Sequence, residues 1–187
     1  MNTQLLPQGS TMVEIKKVKL QPKDGGLYVE ISNMLQNVDE DETPPIVEYT
    51  VNSRLTPHAD LLNAFDRLRI HVLLMCELIQ SNITGKDLKE IQSGDLYIPE
   101  TKNIKVTGVT WGGIGESAGV VLVAQKELST KKVLNLITPF TAFESEDYYF
   151  SYELSKDIET LVTEVMLYIG GKSALGKQLE LGFKEAA

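Results

Sequence analysis

The chain has 187 residues, 42% of them hydrophobic and 24% charged, which is globular composition and excludes wholesale disorder. Its 18 Lys and Arg stand against 26 Asp and Glu, and a net charge of −8 opposes non-specific binding to phosphate backbones, which needs clustered cations. One cysteine, Cys76, excludes an internal disulfide, and with only two histidines a zinc site of the usual ligand types is not expected.

Residues 1–11 read as a loose tail without the charged start and apolar run of a signal peptide, and no apolar stretch of about 18 residues occurs anywhere. A cytoplasmic protein without membrane contact is expected. MVEIKKVKL (Met12 to Leu20) and LYVEISNM (Leu27 to Met34) flank QPKDGG, whose Pro, Asp and paired glycines are turn chemistry, so a hairpin is predicted. After the acidic stretch LQNVDEDETPP, IVEYTVNS (Ile46 to Ser53) alternates Val47, Tyr49 and Val51 as a third strand.

Thr56 followed by Pro57 predicts a helix start, with a hydroxyl cap and proline at the first helical position. Leu61, Phe65, Leu68, Val72, Met75 and Ile79 then recur at steps of three and four, the apolar stripe of one long helix running to about Gln80. Residues 83–101 read as a connector with a helical turn near Lys86 to Ile91 and an extended YIPE. Strands are predicted over Ile104 to Trp111, Val120 to Leu128 and Val133 to Phe140, followed by a second long helix carrying Leu154, Ile158, Leu161, Val165 and Ile169.

Three strands precede one amphipathic helix in each half, and IKKVKL matches VTGVTW in apolar spacing. The expectation is an α+β fold, an antiparallel sheet covered by two long amphipathic helices and built as a degenerate βββα duplication. The halves are 12–82 and 102–170 within one domain, 12–174, and 175–187 form a C-terminal tail.

GESAG (Gly115 to Gly119) is spelled like the nucleophile elbow of a serine hydrolase, but that motif needs a strand before it and a helix after it. Here a β-branched run follows, and both histidines, His58 and His71, precede Ser117 where the family's order places His last. GESAG reads as a hairpin turn, and no catalytic residue is assigned. His58 and His71 are thirteen positions apart on one predicted helix, too far to share a proton, and His71 reads as a hydrogen-bonded structural histidine. Cys76 reads as a buried, inert thiol.

IGGKSA follows a helix instead of a strand and lacks the first glycine of a phosphate loop, so Gly170 or Gly171 reads as a helix stop. The acidic runs Asp39 to Glu42 and Glu144 to Asp147 lack the spacing of a calcium loop, and no metal or cofactor is assigned. DYYFSY offers Tyr148 and Tyr149 as candidates for stacking on a ligand, against the alternative of aromatic packing at a helix entry.

In the tail, Gln178, Leu179, Leu181 and Phe183 resemble the hexameric Q-L-x-L-x-[LF] peptide by which bacterial replication and repair proteins dock on the DNA sliding clamp. Two leucines and an aromatic suit an apolar pocket, and Gly182 disfavours the alternative of a terminal helix. GVVLVAQKELSTKKVLNLITPF, an acidic helix, GGKSA and LTPHADLLNAF together resemble uncharacterised small proteins of tailed bacteriophages and prophages, from Met12 onward. That resemblance implies the cytoplasm of a bacterial host and a setting among replication and recombination functions, with no activity attached. The expected function is a non-enzymatic accessory protein of phage DNA metabolism docking on the host sliding clamp. The alternatives are a protein that sequesters a nucleotide signal or blocks a host defence enzyme and, disfavoured, a hydrolase using Ser117.

Overall fold

The computed structural model describes residues 12–21, 26–34, 46–79 and 82–174. The predicted first hairpin is present: β1 (Met12–Leu20) runs antiparallel to β2 (Leu27–Met34), with Leu20 opposite Leu27. β3 (Ile46–Ser53) pairs with β2, and β4 (Ile104–Gly112) pairs with the other side of β1, Val18 opposite Val109. β5 (Gly119–Glu127) and β6 (Val133–Ile137) extend the sheet, which is antiparallel throughout in the order β3-β2-β1-β4-β5-β6. A two-residue strand, β7 (Thr141–Ala142), pairs with the start of β5.

Two bulges explain an apolar spacing that period-two alternation cannot. Ile15, Val18 and Leu20 are all buried, yet a regular strand would aim Ile15 away from Val18. The register shift between Ile15 and Lys17 inserts one extra residue and returns all three side chains to one face. The shift between Val106 and Gly108 does the same for Val106 and Val109 in β4.

α1 (Ala59–Arg67), α2 (Arg69–Met75) and α4 (Ser151–Ile169) share one buried core with alternate residues of the strands, among them Val29, Ile31, Leu122 and Ala124. α3 (Gly85–Ser93) adds Leu88, and its start is fixed by a reciprocal cap between Thr84 and Asp87.

The first predicted long helix is two helices. Leu68 N donates to Phe65 O at 3.1 Å, a tight three-residue turn that resets the helical phase. Beyond it four successive residues, Ile70, His71, Val72 and Leu73, are buried. The helix ends at Met75, short of Gln80, and Glu77 beyond it has a positive φ of 54°. Its start also lies two residues later than Thr56 and Pro57 suggest. Pro57 bridges to Ser173 instead, and His58 caps α1 by accepting from Asp60 N. The last predicted strand stops at Ile137, three residues before Phe140, where Thr138 turns its hydroxyl oxygen onto Leu122 N at 2.9 Å.

Candidate functional site

Helices 1, 2, 3 and 4 converge on one polar cluster inside the core. His71 on α2 is fully buried and Asp157 on α4 is 2% exposed. His71 Nε2 lies 3.1 Å from Asp157 Oδ2, and His71 Nδ1 lies 2.7 Å from the hydroxyl of Tyr148, in the turn before α4. Arg67, the last residue of α1, donates Nε to Asp157 Oδ1 at 2.8 Å. Gln92 on α3 donates to Asp157 Oδ2 and, at 3.2 Å, to Arg67 O. One carboxylate thus takes bonds from three helices.

Electrostatics assign the protons. Burial pushes the Asp157 carboxyl up, but the hydrogen bond and charge of His71, and then those of Arg67, outweigh it and hold the carboxyl below its ordinary range. An ionised Asp157 accepts from His71 Nε2–H, and His71 Nδ1 shares its hydrogen bond with the Tyr148 hydroxyl. Burial, reinforced by Glu153 and Asp157, raises the Tyr148 phenol far above its ordinary value, so it keeps its proton.

Asp, His and Tyr in series have the order of a proton relay, but the geometry is that of a clasp. Both His71 nitrogens are engaged inside the protein, and the phenol at the end of the series is held protonated. Beside it, a polar cleft of about 380 Å³ is lined by Asn63, Arg67, Arg69, Gln92 and Thr101. Its cations are paired, Arg67 with Asp157 and Arg69 with Asp66 at 3.2 Å.

The residues singled out in the sequence are dispersed. Tyr148 belongs to the cluster, whereas Tyr149 is 82% exposed with its ring edge-on to Phe150 at 4.9 Å between centroids. Ser117 closes a short turn, donating to Ile114 O at 2.9 Å and accepting from Ile114 N at 3.2 Å. That turn requires Gly113, at φ +71°, where a Cβ would stand 1.9 Å from Ser117 O. Neither histidine is bonded to Ser117: His58 caps α1 and His71 is held in the clasp. Cys76, expected to be buried, is half-buried, and burial raises its thiol.

Gly171, at φ +107°, is the left-handed stop after α4, and Lys172 beyond it bonds Glu164 and Asp60, each at 2.8 Å. Glu144 to Asp147 is a loop in which Ser145 bonds Asp147, whereas Asp39 to Glu42 lie outside the described residues. Among the described residues no group of three or more His, Cys, Asp or Glu could hold a metal ion, and no helix is long and apolar enough to cross a membrane. Gln178, Leu179, Leu181 and Phe183 also lie outside the described residues.

Arg67, Asp157 and Gln92 are absent from the sequence reading, yet a signal existed. Leu154, Asp157, Ile158 and Leu161 fall at helical spacing, so Asp157 is a charge on a buried stripe, and His71 stands inside the apolar run IHVLL. Two ionisable groups on two buried faces call for each other.

Comparison of the chain with family models, with curated proteins and with solved structures finds no match.

Proposed function

We propose that the protein is a non-enzymatic adaptor of bacteriophage or mobile-element DNA metabolism, whose folded body carries a C-terminal peptide that docks on the host's DNA sliding clamp. The carrying observation is the spelling QLELGF at Gln178 to Phe183, starting four positions after Ala174, the last described residue. Ala174 N donates to Thr56 O at 2.9 Å and Ser173 bridges to Pro57, so the body is fastened just ahead of the peptide. The clasp supports the same reading, because its ionisable groups are spent on joining helices.

The body itself reads as a degenerate βββα duplication. Supporting this, β1 and β4 meet at the middle of the strand order, and each carries one bulge at the matching place, Lys16 in IKKVKL and Thr107 in VTGVTW.

Calorimetry with a purified bacterial sliding clamp tests the docking. Full chain and a peptide of Lys177 to Ala187 should bind one pocket, the peptide more weakly because it must be ordered on binding. Replacing Leu181 and Phe183 together with alanine should cost about 2 kcal/mol or more of binding, the scale of buried anchors. Removing Gln178 to Ala187 should abolish binding while the melting temperature holds. A peptide silent at high micromolar concentration, or a truncated chain that unfolds, would return the tail to the folded body.

A further inference from the structure

Among the described residues β6 is one edge of the sheet, and from Val133 to Ile137 it carries no charge, proline or bulge, Pro139 lying two residues beyond. Edges are normally protected by charge, proline or a bulge. β3, at the other edge, exposes Glu48, but Val133 to Phe143 carries no charged residue in a chain of net charge −8. Val133, Leu134 and Ile137 are 56%, 46% and 67% exposed, and Phe140 just beyond the strand is 49% exposed.

The strand is also self-complementary. Thr138 N donates to Leu122 O and Leu128 N to Lys132 O, so even-numbered residues direct their backbone groups at β5. Val133, Asn135 and Ile137 therefore aim N–H and C=O at the open edge. Antiparallel pairing of VLNLI with itself about Asn135 sets Val133 opposite Ile137, Leu134 opposite Leu136, and Asn135 opposite its own copy. Each residue that aims outward then meets one that does likewise, and like side chains face like, as a twofold interface requires.

We propose that β6 is a self-association edge, on which a second copy of this chain adds its own β6 antiparallel about Asn135 and continues the sheet across a twofold axis. The apolar side chains cover on the order of 400 Å² per copy, about half of what a standard partner buries, so the dimer is reversible and concentration-dependent. The lack of charge along 133–143 spares this surface the like-charge repulsion that a net charge of −8 sets up between other faces.

The register is testable in the full chain with Cys76→Ser, which leaves one thiol to place. Asn135→Cys sets two thiols on residues about 5.5 Å apart between Cα atoms, within disulfide reach, whereas Val133→Cys sets them roughly 13 Å apart. Under oxidised glutathione, a covalent dimer should form at position 135 in at least about tenfold excess over position 133. Sedimentation of the chain with its native cysteine gives the second arm: a monomer–dimer equilibrium that Asn135→Lys weakens at least about tenfold by opposing two ammonium groups. Equal crosslinking at both positions, no crosslinking at either, a monomer at all concentrations, or a dimer indifferent to Asn135→Lys would overturn the proposal, the second and third being the outcome if another segment of the chain covers the edge.

Discussion

Asp157 is the residue on which most of the buried polar bonding depends, since His71, Arg67 and Gln92 all donate to it. Its carboxyl is held below the ordinary value of 3.8, so its contribution to stability is complete above the unfolded-state pKa and is lost as pH falls through the lower, folded one. Asp157→Asn keeps the shape but removes the charge, leaving His71 and Arg67 without their anion. It should cost about 3 kcal/mol at pH 7, the range for breaking a buried pair. Urea titrations at pH 7, 5 and 3 should then show a parent that loses stability below about pH 4 and a variant whose acid limb is flatter. Parallel acid limbs would mean that this carboxylate is not linked to folding. Tyr148→Phe removes only the bond to His71 Nδ1 and should cost about 1 kcal/mol with the acid limb unchanged.

At the scale of elements, strands and turns are legible because their causes are local. Turn residues and β-branched or apolar runs give β1 to β5, glycine and a polar turn give GESAG, and Gly171 gives the end of α4. The division at Leu68 is tertiary in origin. Its stripe, Leu61 to Met75, fits one continuous helix, but α2 is covered on several sides by the sheet and α3, so a run of neighbours is buried where a stripe would bury every third or fourth residue. The four-residue run IHVL was the available sign. The clasp was harder to read, because its partners are separated by up to 90 positions and only the fold brings them together. Leu68, between α1 and α2, and Leu161 on α4 are fully buried, so either replaced by alanine should lower stability by about 2 to 5 kcal/mol. Leu62, on α1 but 38% exposed, should lose far less, and thermal melts of the three variants compare them directly. Equal losses at Leu62 and Leu68 would refute the difference in burial between them.

For the molecule as a whole, the decisive contact is β1 against β4. Val18 lies opposite Val109 and both are fully buried, so the sheet is continuous between residues 12–82 and 102–170. One apolar core runs from Ile15 to Tyr168 without a break, and α1 of the first half packs on α4 of the second. A first half alone would bare the inner edge of β1 together with the apolar side chains of α1, and it would leave His71 and Arg67 without Asp157. A second half alone would bury Asp157 with neither partner, which is the costlier fault. The intact chain should therefore unfold in a single transition, with calorimetric and van't Hoff enthalpies equal within error. Fragments 12–101, which keeps α3, and 102–174 should each lack a cooperative melt and regain one only when mixed. A fragment with its own sigmoidal transition, or two resolved transitions in the intact chain, would show that the halves fold independently and that the clasp joins two finished domains instead of completing one.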